Sequence, residues 1–87
     1  MEVVIKKSTK KEIEFEVIDE NTILNPLKQK LLMNKDVEYA EWTVEHPLLS
    51  NPKFYVRVKK GEAKEVVRKA IEELKGEIDA LRETLEE

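Results

Sequence analysis

The chain has 87 residues, 40% of them hydrophobic and 40% charged, with 16 Lys and Arg against 19 Asp and Glu and a formal net charge of −3. That length gives a single domain, 1–87, with a thin core, and the negative balance argues against nucleic acid as a direct partner, because such domains are as a rule strongly basic. The absence of cysteine excludes a disulfide frame, a thiolate nucleophile and a cysteine metal site.

Met1 to Lys6 places Val3 and Ile5 on one parity and predicts a short strand at or near a sheet edge. The chain enters this strand pattern at once, so no signal peptide is expected. No apolar run approaches the roughly 20 residues that span a bilayer, so no membrane is expected and the protein reads as cytoplasmic. Ser8-Thr9-Lys10-Lys11 is a polar turn. Glu12 to Val17 alternates strictly, with Ile13, Phe15 and Val17 inward and Glu12, Glu14 and Glu16 outward, and it completes a hairpin with the first strand.

From Asp19 to Asn34 the spacing becomes helical: Ile23 or Leu24, then Leu27, Leu31 and Leu32. Two starts fit. Asn25-Pro26 is a cap followed by a first-turn proline. Thr22 would cap one turn earlier and leave Pro26 where its missing N–H costs at most one early hydrogen bond. Asn34-Lys35-Asp36 is the exit. Val37 to Glu45 forms the third strand and is apolar on both parities, with Val37 and Tyr39 on one and Ala40, Trp42 and Val44 on the other. Such a strand is either central or partly covered by a partner.

The next connection holds His46-Pro47-Leu48-Leu49, an apolar bend where a solvated loop is the rule. Pro52 to Lys59 alternates again, with Phe54, Val56 and Val58 inward. Lys60-Gly61 ends that strand and Glu62-Ala63 opens the last helix. This helix runs to about Leu85 on a seam of Val67, Ile71, Leu74, Ile78, Leu81 and Leu85, whose 4-3-4-3-4 spacing keeps one stripe and resembles a coiled-coil seam. Gly76 falls on the solvated side.

The order is therefore β-β-α-β-β-α, an α+β domain of two layers: a four-stranded antiparallel sheet with two helices on one face, the C-terminal helix long. At about 1.5 Å per residue that helix spans ~36 Å, against a diameter of about 30 Å for a compact domain of this size. Leu81 and Leu85 should overhang the sheet. A frayed end is the plain alternative; a partner helix is the favoured reading.

No catalytic constellation is visible. His46 is the single histidine, and Glu45, its neighbour on a strand, would point to the opposite face. There is no second histidine for zinc and no glycine-rich phosphate loop, so neither metal nor cofactor is expected. The cations Lys6, Lys7, Lys10, Lys11, Lys53, Arg57, Lys59, Lys60 and Lys64, with Tyr55 interleaved, could form a single-strand platform. The favoured alternative is a mixed face in which Glu12, Glu14 and Glu16 pair with the lysines across strands.

These residues resemble the archaeal RNA polymerase subunit L family, small relatives of the eukaryotic assembly subunit and of the bacterial α dimerisation domain. The likeness lies in Glu20-Asn21-Thr22-Ile23-Leu24-Asn25 at the first helix, in Val37-Glu38-Tyr39-Ala40, in Glu45-His46-Pro47-Leu48-Leu49, and in the K-x-G turn before one long acidic helix. Asn21, Pro26 and Ala63-Lys64 depart from the family's usual residues.

The resemblance implies a non-catalytic subunit of DNA-directed RNA polymerase, the nucleotidyltransferase of transcription. It implies a heterodimer with the polymerase's D subunit through the two helices, which forms the platform for the large catalytic subunits. The implied interface to the D subunit or neighbouring subunits is Thr22, Leu24, Leu27 and Leu31 on the first helix, His46, Pro47, Leu48 and Leu49 in the bend, and Val67, Ile71, Leu74, Ile78, Leu81 and Leu85 on the last helix. His46 would fix the bend by a hydrogen bond. A self-pairing module outside the polymerase would use the same helices. No small-molecule substrate is implied.

Overall fold

Strict alternation in Glu12–Ile18 and in Lys53–Val58 brings two phenylalanines together at the centre of a sheet. Phe15 lies opposite Phe54 in the strand register, and their rings stack with centroids 5.3 Å apart and planes 7° apart. Both are fully buried. The fold around them is a computed structural model that describes residues 2–18, 23–46 and 50–86, apart from the side chains of 82 and 86. Its elements in chain order are β1 (Glu2–Ser8), β2 (Glu12–Ile18), α1 (Leu24–Met33), β3 (Val37–Thr43), β4 (Lys53–Val58) and α2 (Ala63–Glu86).

The sheet has four antiparallel strands in the order β1-β2-β4-β3. β2 and β4 are central; β1 is an edge, as its short pattern predicts. β3 is the other edge, which removes the central position from the two readings its double-parity pattern allowed. The double-parity pattern has a local cause. The register passes from Val37 opposite Val58 to Tyr39 opposite Arg57, so Glu38 is an extra residue. Such a bulge shifts the parity of everything after it. Val37, Ala40 and Trp42 therefore share the inner face, opposite Val58, Val56 and Phe54, and Tyr39 turns outward. β1 carries a similar irregularity between Ile5 and Lys7. β3 also ends at Thr43, so Glu45 and His46 belong to the bend that follows.

The inner face of the sheet and both helices share one core. Ile13, Phe15, Val17, Val37, Ala40, Phe54, Val56 and Val58 from the strands meet Leu24, Leu27, Leu31, Ala63, Val67, Ala70 and Leu74 from the helices. α1 begins at Leu24, with Ile23 as a cap residue that makes no side-chain capping bond. Asn25 is thus inside the helix, and the Asn25-Pro26 start is corrected. Its amide is used elsewhere: the Trp42 indole Nε1–H donates to Asn25 Oδ1 at 3.3 Å, tying β3 to α1. Pro26 sits in the first turn, where backbone N–H groups have no helical acceptor in any case. Thr22, the earlier cap candidate, lies outside the described residues.

The start of α2 is held by the β1–β2 turn. Thr9 closes that turn by accepting the Glu12 N–H on its Oγ1 at 3.1 Å and donating its own N–H to Glu12 O at 2.8 Å. The Ala63 N–H then donates to Lys10 O at 2.8 Å. Gly61, at φ 82°, makes the reversal between β4 and α2, a backbone region where a Cβ is strained.

The two glycines predict opposite responses to alanine. At Gly61 and at Gly76 alike, an added Cβ would meet nothing within 4 Å, so packing plays no part. Gly61→Ala should destabilise by roughly 1–2 kcal/mol through its left-handed backbone. Gly76→Ala, in an exposed helical turn, should stabilise by about 0.5–1 kcal/mol. Urea midpoints that shift in opposite directions at constant m would bear this out; equal shifts would not.

Candidate assembly interface

α2 presents one apolar stripe along its whole length, but the sheet covers only part of it. Ala63, Val67, Ala70 and Leu74 are buried, and Ile71 and Ile78 are half-buried against the core. Beyond them Leu81 is 60% exposed and Leu85 76% exposed. α1 divides in a similar way. Leu24, Leu27 and Leu31 are buried, whereas Leu32 is 51% exposed and Met33 84% exposed.

The structure thus separates the residues that the sequence grouped together. Leu24, Leu27, Leu31, Val67 and Leu74 are taken up by the chain's own core, and they fix the helices rather than offer a surface. Ile71 and Ile78 border that core. Leu81 and Leu85 are the open end of the stripe. Met33, which the helical spacing did not single out, joins the exposed apolar set together with Leu32. Thr22, Pro47, Leu48 and Leu49 lie outside the described residues.

The helix layer is braced by charge. Lys30 Nζ reaches Glu77 Oε1 at 2.7 Å and Glu73 Oε2 at 3.5 Å, joining α1 to α2. The hydrogen bond to Glu77, and then the field of both carboxylates, holds the Lys30 ammonium pKa above its usual value against some desolvation. Because that pKa is raised, the tie is complete at neutral pH and is lost only as pH rises past the ordinary lysine range. On its other side α1 meets β3 through Lys28 Nζ and Glu41 Oε1 at 3.0 Å. Arg68 spans Glu65 at 2.8 Å and Glu72 at 2.9 Å on the solvated side of α2. These two pairs lie within one helix and in open solvent, where water screens them, so they support the helix locally and brace nothing else.

The outer face of the sheet is the mixed surface anticipated above. Glu12 and Arg57 oppose one another in the register and pair at 3.6 Å, and Arg57 also reaches Glu38 at 3.3 Å. Lys7 pairs with Glu12 at 3.8 Å and Lys6 with Glu16 at 3.7 Å. Tyr39 and Tyr55 meet edge to face at 5.6 Å. A hydrogen bond to Glu12, followed by desolvation and that carboxylate's charge, pushes the Tyr55 hydroxyl pKa up. The tyrosine pair thus sits among compensated charges.

His46 is exposed. Its main-chain carbonyl accepts the Ser50 N–H at 2.8 Å, so the bend is closed through the backbone. Glu45 pairs with Lys53 at 3.4 Å. Among the described residues, no group of three or more His, Cys, Asp or Glu side chains is placed to hold a metal ion, and no helix is long and apolar enough to cross a membrane.

Residues 12–84 match the family described as the RNA polymerase Rpb3/Rpb11 dimerisation domain. The chain is 31% identical to DNA-directed RNA polymerase subunit Rpo11 of Methanothermobacter thermautotrophicus over 86 residues, which are 99% of this chain and 98% of that one. It is 36% identical to Rpo11 of Thermoplasma acidophilum over 66 residues, 75% of this chain but only 60% of the relative. With Rpo11 of Methanocella arvoryzae it shares 41% identity over 63 residues, 71% and 68% of the two chains. The crystal structure of DNA-directed RNA polymerase subunit L from Thermoplasma acidophilum superposes with a TM-score of 0.78 at 27% identity, covering 98% of this chain and 85% of that chain.

The compensated outer face carries its own prediction. A surface on which Glu12 and Glu16 answer Arg57, Lys7 and Lys6 has little net field, so counterion release on binding DNA or RNA should be small. The isolated chain should bind either no better than a generic acidic protein in an anisotropy titration at physiological salt. Submicromolar affinity that falls steeply with added salt would contradict this, and joint replacement of Lys53, Arg57 and Lys59 would then locate the site.

Proposed function

The chain belongs to the RNA polymerase Rpb3/Rpb11 dimerisation-domain family, and from that premise we propose that it is a non-catalytic assembly subunit of DNA-directed RNA polymerase that pairs with the polymerase's D subunit through α1 and α2. The pair would serve as the cytoplasmic platform on which the large catalytic subunits assemble for transcription. One observation carries this reading: Leu81 and Leu85 continue the buried stripe of α2 into solvent. Each leucine left in water forgoes roughly 1.5–3 kcal/mol of burial, and a partner surface restores it.

In this reading the contact face is the exposed set, Leu32, Met33, Leu81 and Leu85, bordered by Ile71 and Ile78. The buried leucines act at one remove, by holding the two helices in place. No side chain is assigned a chemical step. The chain's task is recognition.

Two substitutions test the proposal. Leu81→Asp should raise the Kd for the D subunit by about tenfold or more, equivalent to at least about 1.4 kcal/mol, while the thermal midpoint of the isolated chain stays nearly constant. An equal loss of stability in the isolated chain would instead place Leu81 in its core. His46→Asn should leave the transcription rate of fully assembled polymerase largely intact. A loss of several orders of magnitude with assembly intact would give His46 a chemical role and end this reading.

A further inference from the structure

Two rows across the outer face of the sheet carry the tyrosine pair. Glu14 on β2 lies opposite Tyr55 on β4, and Tyr55 lies opposite Glu41 on β3. In the next row Arg57 stands between Glu12 and Tyr39. Tyr39 is 46% exposed, and its edge-to-face contact with Tyr55 leaves ring surface open on either side. An open groove lies on each side, and both rings line both grooves. The first, of about 300 Å³, is completed by Glu38 and Arg57. It holds the chain's own guanidinium, which reaches Glu38 at 3.3 Å and Glu12 at 3.6 Å. The second, of about 320 Å³, is completed by Glu14, Glu41, Thr43 and Lys53. There the charges do not close. Lys53 is drawn to Glu45 at 3.4 Å and Glu41 to Lys28 at 3.0 Å. Lys7, the register partner of Glu14 on β1, pairs with Glu12 instead, at 3.8 Å, and the Tyr55 hydroxyl also turns to Glu12. Glu14 is half-buried and enters no ion pair among the described residues.

From the contrast between the two grooves we propose that the second is a recognition site for an arginine side chain carried by an exposed segment of another protein. Its guanidinium lies against the tyrosine rings and donates to Glu14, as Arg57 does beside the same rings toward Glu38 and Glu12. Charge, shape and size select this occupant. The one unanswered group in the groove is an anion, so the groove attracts a cation and repels phosphate, and a cation offsets the cost of holding a half-buried carboxylate without a partner. Aromatic walls favour a planar, weakly hydrated guanidinium, which stacks and binds a carboxylate through two N–H groups, over a compact and strongly hydrated ammonium. The volume stands at the low end of small-ligand sites, ~300 Å³, and suits a single side chain. The site faces away from α1 and α2, so it does not depend on the assembly reading above.

The test titrates the full chain with three capped tripeptides, Gly-Arg-Gly, Gly-Lys-Gly and Gly-citrulline-Gly, at constant ionic strength, following the ring resonances of Tyr39 and Tyr55 by NMR. One side chain supplies only part of a contact, so the arginine peptide should shift both rings saturably with a Kd of roughly 10–100 mM. The lysine peptide should bind at least about threefold more weakly. The citrulline peptide, which keeps the shape and loses the charge, should not saturate. Glu14→Gln should weaken the arginine peptide at least about threefold, while Glu83→Gln, on the exposed side of α2, should change nothing. Because Glu14 is unused within the chain, Glu14→Gln should also leave the thermal midpoint unchanged or raise it. Tyr39→Ala should abolish the preference for arginine over lysine; if that variant unfolds, Tyr39→Leu, which keeps apolar bulk without a ring, takes its place. Equal binding of the arginine and lysine peptides, or shifts indifferent to Glu14→Gln, would overturn the site. A midpoint several degrees lower in Glu14→Gln would assign that carboxylate to the fold and overturn it as well. So would inorganic phosphate, if it moved the same rings more strongly than the arginine peptide.

Discussion

The stack of Phe15 on Phe54 is the contact on which the rest of the domain is arranged. It lies where the two central strands meet and fixes their register. A slip of one residue would carry Ile13, Phe15 and Val17 to the solvated side and bring Glu12, Glu14 and Glu16 into the core. With that register set, the sheet has one apolar face and one charged face. Both helices must then lie on the apolar face, and every ion pair between strands lies on the other. The two edge strands are held less strictly. Each accommodates a register shift, one between Ile5 and Lys7 and one between Val37 and Tyr39, because neither must match a second neighbour.

Charge completes what burial begins, but in a different way on each side. On the outer face the pairs are exposed and each contributes little on the scale of a typical surface pair. Their main effect is to cancel the field that a row of lysines or glutamates would create alone. On the helix side, Lys30 and Lys28 connect α1 to α2 and to β3, so a ten-residue helix without a side-chain cap is tied at both flanks. A helix that short is marginal alone. Its placement comes from Leu24, Leu27 and Leu31 in the core and from these ties, and it presents Leu32 and Met33 outward as a result.

Much of this architecture is legible in the sequence, and the parts that are not have specific causes. The alternation of Glu12–Ile18 and Lys53–Val58 and the long period of α2 stand out because each repeats one rule without interruption. The place of β3 in the sheet stays open in the sequence because a single extra residue, Glu38, reverses its parity, and a sequence that obeys both parities looks like one buried on both faces. The start of α1 stays open in the sequence because Asn25 suits a cap equally well, and only the tertiary contact to Trp42 Nε1 shows where its side chain is used. The candidate interface is legible as a stripe but not as a partition. Leu74 and Leu81 obey the same periodicity, and nothing local distinguishes burial within the chain from burial against another.

The partition comes instead from a mismatch of lengths. β2 has seven residues, and at about 3.3 Å each they cover about 23 Å. α2 has 24 residues, and at about 1.5 Å each they cover about 36 Å. A helix laid along such strands, with its first turn pinned to the β1–β2 turn by the Ala63 N–H, outruns the sheet by about 13 Å, or roughly nine residues. Counting back from Glu86, the overhang begins close to Ile78, where burial in fact falls from Leu74 to Leu81. The exposure of these leucines follows from a strand length, a helix length and one hydrogen bond at the start of α2, so the same seam is taken up by the chain's own core over its first half and stands in solvent over its last.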